Sequence, residues 1–202
     1  MSSRTPLTTF LIVANILAFG YEMARVGPDI LGGGGTLQAL IDAGALAPVL
    51  VREQGEYWRL VTGGFLHGSV LHLAVNMYSL HVLGRFVEAM AGSRRMAIVY
   101  GVSLVASSLA VVYLGGPNDV TVGASGAIFG LFGALFAFGL RLGSAGMRLV
   151  RANLGILGLN LFMTFAVPGI SRWGHIGGLV SGFVVALAVF VPPRRLEYQS
   201  GM

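Results

Sequence analysis

Cysteine and lysine do not occur in this chain. Without cysteine there is no disulfide framework and no thiol nucleophile, and the redox compartment is not written in the composition. All 13 basic residues are arginine, a feature of genome composition rather than of mechanism. Charge as a whole is scarce, at 10% of 202 residues, where a soluble domain carries about 25%. What stands in its place is apolar: 55% of residues are hydrophobic and the mean hydropathy is +0.79. Those values exclude an ordinary soluble domain and indicate an integral membrane protein. A net charge of +5 in a soluble chain would suggest nucleic acid. Here the arginines punctuate apolar runs, so topology accounts for them and no nucleic-acid partner is expected.

Six apolar segments come near the roughly 20 residues that a spanning helix needs. They run approximately Leu7–Met23, Leu71–Phe86, Met96–Leu114, Ser125–Leu140, Leu149–Val167 and Trp173–Val191. The second carries His72, Asn76, Ser79 and His81, which lower its hydropathy, and its lower end is expected to extend toward Glu88. A cleaved signal peptide is the alternative for the first segment, but Tyr21-Glu22-Met23 is a poor cleavage site. With the N-terminus inside, nine arginines (Arg4, Arg85, Arg94, Arg95, Arg141, Arg148, Arg151, Arg194 and Arg195) lie in inner segments. Four (Arg25, Arg52, Arg59 and Arg172) lie outside. That bias predicts short cytoplasmic termini on both ends. The connection from Arg25 to about Phe65 is long and apolar, with a Gly32–Gly35 run followed by an amphipathic stretch suited to an interfacial helix. Trp58 beside Arg59 suits the headgroup level. No linker, repeat or charged tail divides residues 1–202, so one membrane domain is expected.

Polar groups at membrane depth are costly and are functional candidates. Ser125 lies in GASGAIFG, at the start of the fourth segment. By itself the motif also reads as close helix packing through Gly126 and Gly130. His72 and Asn76 are four apart and share a helix face, where both can donate hydrogen bonds. Two convergent donors suit an oxyanion, and equally suit interhelical bonds that hold a bundle together. His67 stands where the chain enters the membrane, and His81 on another face reads as structural. His175 opens the sixth segment, with Gly178 and Gly182 on its own face. If those glycines press against Gly126 and Gly130, Ser125 and His175 meet near the outer boundary. A helix over Ser125–Leu140 is also short, about 24 Å at 1.5 Å per residue against a core of ~30 Å. Thr121–Ala124 is therefore expected to descend non-helically, leaving Ser125 recessed beside a cavity that admits water.

The ordered set WR (Trp58, Arg59), HGSVLHLAVN (His67, His72, Asn76), GASG (Gly123–Gly126) and GHIGGLVSG (His175, Gly178, Gly182) resembles the rhomboid intramembrane serine proteases. The resemblance covers about Glu56 to Gly182, with a core of about 56–192. It implies an all-α, six-transmembrane-helix rhomboid-like bundle with a membrane-embedded first outer loop and a Ser–His dyad without a third acid. By family position Ser125 is the nucleophile and His175 the general base; His72, Asn76 and the Ser125 backbone N–H form the oxyanion hole. His67 matches a position associated with the water-filled site, and Trp58 and Arg59 match the pair in the first loop. Phe129 takes the place of a Tyr that stacks on the base in some relatives. The implied partners are single-spanning membrane protein substrates and lipid, with no cofactor and no metal; the sequence assigns no oligomeric state. Short termini suggest a bacterial enzyme of the plasma membrane with its site opening outward.

Three other readings fit the residues less well. A metalloprotease using His67, His72 and His175 lacks H-E-x-x-H. A catalytically inactive rhomboid-like escort protein should lack Ser125 or His175, and both are present. A transporter would need paired broken helices or intramembrane acids for ion coupling.

Overall fold

The computed structural model describes residues 5–166 and 171–190. Arg4, Val167, Val191, Arg194 and Arg195, which entered the expected spans and charge bias, lie outside the described residues. A helix occupies each of the six apolar intervals. Among the described residues four are long and apolar enough to cross a membrane: α1 (Pro6–Val26), α5 (Val70–Ala91), α6 (Ser93–Leu114) and α10 (Arg172–Val189). Helix α7 (Ser125–Arg141) is apolar but has 17 residues, about 26 Å at 1.5 Å per residue.

Buried carboxylates satisfy backbone donors that helix ends leave open. Pro6 opens α1, and the next two N–H groups, of Leu7 and Thr8, donate to Glu88 of α5 at 2.9 Å each. The Thr8 and Ser93 hydroxyls donate to the same carboxylate at 2.7 and 2.6 Å, joining the starts of α1 and α6 to the end of α5. Helices α5 and α10 carry serine caps: Ser69 accepts from the His72 N–H, and Ser171 from the Gly174 N–H.

Helix α7 is the centre of the bundle. Every residue from Gly126 to Leu135 is buried, as befits a helix apolar on all sides. On one flank a Cβ at Gly178 or Gly182 of α10 would overlap the carbonyl of Gly126 or Gly130. On the other flank the hydrogens of Gly126 and Gly130 face Ser107 and Ser103 of α6. The expected glycine contact with α10 is therefore present, made by α10 glycines against α7 backbone. The bare faces of Gly126 and Gly130 admit α6, and Gly133 supplies the α7 vacancy toward α10, against Leu179 and Phe183.

The long connection folds into a 3-10 turn at Pro28–Gly32 and three short helices, α2 (Leu37–Ala43), α3 (Pro48–Gln54) and α4 (Arg59–Thr62). The buried Arg59 organises it, donating to the Ile41 and Ala45 carbonyls at 2.6 and 2.9 Å and pairing with Glu56.

One expected segment differs. In place of a single span over Leu149–Val167 there are two helices, α8 (Gly143–Ala152) and α9 (Leu154–Ala166), with Asn153 between them. Helix α8 is amphipathic: Arg148 and Arg151 are exposed, while Gly146 and Val150 are buried toward the last turn of α7. Averaged hydropathy runs through such a break because the apolar α9 outweighs the single Arg151 inside the expected span.

Candidate active site

Ser125 is the first residue of α7, and the chain reaches it without helical structure from Thr121 to Ala124. Thr121 pairs with Leu46 of the long connection through two backbone hydrogen bonds of 3.0 and 2.9 Å. The Gly123 N–H donates to the Gly63 carbonyl at 2.9 Å. Gly123 has φ +124°, and a Cβ there would stand 2.7 Å from Cε1 of His72. Glycine is required at that position twice over, by the backbone angle and by the ring.

The close approach of α7 and α10 has its consequence one turn above the Gly126–Gly178 contact. The Oγ of Ser125 stands 2.7 Å from Nε2 of His175, and Phe129, one turn along α7, stacks on the His175 ring at 4.2 Å between centroids and 13° between planes. A hydroxyl at hydrogen-bond distance from an imidazole nitrogen is an arrangement from which the base can take a proton as the oxygen attacks. Both groups open on a cavity of about 390 Å³ whose wall also includes His72, Asn76, Gly123 and Gly126.

Helix α5 supplies the opposite wall. Asn76 is buried, with Nδ2 donating to the His72 carbonyl at 2.9 Å, which leaves its second amide hydrogen for the cavity. Nδ1 of His72 lies 2.6 Å from the carbonyl of His67. A carbonyl only accepts, so the ring proton sits on Nδ1 and the neutral ring presents the Nε2 lone pair. The backbone N–H of Ser125, at the first position of α7, has no acceptor within its own helix.

His67 does not line this cavity. Its ring meets that of His72 edge to face, 5.3 Å between centroids, and its carbonyl holds His72 Nδ1. Burial, followed by repulsion from His72 when that ring is protonated, lowers its pKa to about 3, so it is neutral at ordinary pH. Trp58 and Arg59 are also away from the site: Trp58 is half exposed and Arg59 lies over its ring at 4.3 Å. His81 is exposed on α5 beside Arg85.

Three functional neighbours escaped the sequence reading. Glu22, buried near the end of α1, accepts from the N–H groups of His67 and Gly68 at 2.8 and 2.7 Å, and so fixes the strand of chain that feeds His72. An acid inside an apolar segment was the available signal. Thr164 and Asn160 of α9 also reach the site: Thr164 Oγ1 is 2.6 Å from Nδ1 of His175, and Asn160 Nδ2 is 3.2 Å from Ser79 Oγ of α5. A threonine in an apolar helix gives no such signal.

The Rhomboid domain family model matches residues 54–192. Rhomboid protease GluP of Bacillus subtilis is 36% identical over 189 residues, covering 93% of this chain and 36% of GluP. RHOMBOID-like protein 6, mitochondrial, of Arabidopsis thaliana is 30% identical over 187 residues, 90% of this chain and 59% of that protein. YdcA of Bacillus subtilis is 36% identical over 144 residues, 70% of this chain and 72% of YdcA. The chain thus spans less than two thirds of the length of the first two relatives and most of the third. With a family match over more than half of its residues, carried by the same stretch that builds the cavity, the chain belongs to the rhomboid family.

Proposed function

We propose that this chain is an intramembrane serine endopeptidase. Ser125 attacks a peptide carbonyl while His175 takes its proton; the acyl-enzyme that results is hydrolysed by water from the cavity. The observation that carries the reading is the 2.7 Å contact between Ser125 Oγ and His175 Nε2 at the wall of that cavity. Asn76 and the Ser125 backbone N–H are the neutral oxyanion donors. His72, whose ring proton is committed to the His67 carbonyl, donates from Nε2 only as an imidazolium.

The substrates are single-spanning membrane proteins whose helix unwinds readily near the outer boundary, where glycine or proline lets the backbone extend into the site. With the six crossings read from the sequence, the arginines following the second and fourth spans (Arg94, Arg95, Arg141, Arg148 and Arg151) lie inside, as do both termini. The site then opens outward from a bacterial plasma membrane. Residues 1–202 act as one membrane domain.

The test is cleavage of a panel of transmembrane substrates in liposomes. Ser125→Ala is expected to leave no activity, and Asn76→Ala about 100- to 1,000-fold less than the parent, the usual cost of one oxyanion donor. Labelling of Ser125 by a fluorophosphonate separates an enzyme from an inactive relative. Equal cleavage by the parent and Ser125→Ala would reject the assignment.

A further inference from the structure

The second nitrogen of His175 also has a partner. Nδ1 lies 2.6 Å from Oγ1 of Thr164, and that oxygen lies 2.7 Å from the Asn160 carbonyl, one turn earlier in α9. A carbonyl oxygen accepts only, so the single hydroxyl proton of Thr164 points to Asn160. Toward His175, Oγ1 therefore acts as acceptor, and the ring proton sits on Nδ1. A neutral imidazole has one donor and one acceptor nitrogen, which leaves the Nε2 lone pair facing the Ser125 hydroxyl. That is the tautomer in which His175 can remove a proton from Ser125.

We propose that Thr164 is the positioning residue that holds His175 in this tautomer, with the Asn160 carbonyl fixing the direction of its hydroxyl. The proposal rests on the serine protease reading above. In a Ser–His–Asp triad a buried carboxylate performs the orienting task; here a neutral hydroxyl backed by a helix carbonyl performs it. When Ser125 Oγ bonds to the substrate carbonyl carbon, its proton passes to Nε2. The Nδ1–H stays on Thr164, and the Nε2 proton then leaves with the departing amine.

Three further observations support the assignment. Thr164 and His175 are 4% and 7% exposed, and Thr164 does not line the cavity, so its bond to Nδ1 is shielded from the cavity water. A helical threonine naturally bonds the carbonyl four residues back, and branching at Cβ limits its other rotamers. Asn160 is itself anchored, with Nδ2 shared between the Ile156 carbonyl at 2.8 Å and Ser79 of α5 at 3.2 Å.

The experiment measures kcat and KM for the parent, Thr164→Val, Thr164→Ser and Ser125→Ala on one transmembrane substrate in liposomes. It also records the 15N spectrum of ring-labelled histidine in the parent and in Thr164→Val. Thr164→Val keeps the shape and removes the hydroxyl; kcat is expected to fall about tenfold, with KM changed by less than about twofold, as for loss of one hydrogen bond to the reacting base. Thr164→Ser is expected to keep kcat within about threefold of the parent. The parent spectrum should report the Nδ1–H tautomer at His175, and Thr164→Val a shift toward Nε2–H. An unchanged kcat in Thr164→Val, a loss confined to KM, or an Nε2–H tautomer in the parent would overturn the proposal. The parent spectrum needs no variant, so it decides the question even if Thr164→Val does not fold. Inactive Ser125→Ala with fully active Thr164→Val rejects only the positioning role; active Ser125→Ala rejects the protease reading beneath it.

Discussion

Helices α10 and α9 both deliver a group to His175's surroundings, yet they are attached to the bundle in different ways. Helix α10 lies directly on α7 backbone, with Gly178 and Gly182 where any side chain would strike a carbonyl. Helix α9 carries Gly155 and Gly158, and a Cβ on either meets nothing within 4 Å. It packs Leu157 into the core with Ile156 and Leu161 beside it, and its ties to the site itself are polar side-chain bonds, Asn160 to Ser79 and Thr164 to His175. Leu154, Leu159 and Phe162 face outward from it. The same residue type at similar spacing thus has two meanings. In α10 glycine sets the distance between two reacting groups; in α9 it sets nothing, and the helix is held by apolar side chains on one face and by hydrogen bonds to the site.

The sharpest way to break this contrast is Gly178→Ala. The added methyl overlaps the Gly126 carbonyl, which is backbone and cannot rotate away. Helix α10 must then move from α7, carrying His175 away from Ser125. We expect a loss of more than about 100-fold in kcat/KM, since a 1 Å misplacement of a catalytic group costs about that much. The variant is also expected to lose about 1–3 kcal/mol of stability through overpacking, read from thermal unfolding in detergent. Full activity in Gly178→Ala would mean that the interface yields, and that its glycines do not set the dyad distance.

Next in size is Asn160→Leu, which probes the polar attachment of α9. It removes the bond to Ser79 and leaves that buried hydroxyl without its partner, at a cost of about 1–3 kcal/mol. The Thr164–Asn160 carbonyl bond is backbone on the acceptor side and survives the change. The expected signature is therefore local: faster amide exchange along α9, with α7 and α10 protected as before. Uniformly faster exchange in all three helices would show that α9 is not held separately.

A smaller effect is expected at Phe129, which belongs to the α7–α10 side. Its ring orients His175 by stacking, and a stacked pair of this kind contributes about 0.5–1.5 kcal/mol beyond burial. Phe129→Leu should lower kcat about 2- to 12-fold per fluorophosphonate-reactive site, leaving the dyad assembled. A loss as large as that of Gly178→Ala would assign the stacked ring a share in setting the distance.

Much of this was legible in the sequence for a physical reason. Ser125, His175, Asn76 and His72 are polar groups in apolar segments, and such groups stand out because the membrane makes them costly. The short α7 and the irregular Thr121–Ala124 approach followed from counting residues against membrane thickness. The α8–α9 break was passed over because the long apolar run after Asn153 outweighs Arg151, and averaging hides a change of helix. Thr164 was not legible, since its hydroxyl could be satisfied by its own helix; only the fold brings His175 within 2.6 Å of it. Glu22 could have been found, since a carboxylate near the end of an apolar span requires donors. Which donors it has, the His67 and Gly68 N–H groups, depends on a contact between distant parts of the chain.

The smallest expected effect sharpens the comparison most, because it predicts the opposite sign for the same substitution. Gly158→Ala adds a methyl to α9 where nothing lies within 4 Å, so no overlap opposes it. What remains is the intrinsic preference of a helix interior for alanine over glycine, about 0.8–1.0 kcal/mol in water. Thermal unfolding of Gly158→Ala should therefore match or slightly exceed the parent, with kcat and KM unchanged, while Gly178→Ala loses both stability and activity. If Gly158→Ala behaves like Gly178→Ala, α9 packs against a neighbour through its glycines, and the division between a helix placed by backbone contact and one oriented by side-chain hydrogen bonds fails.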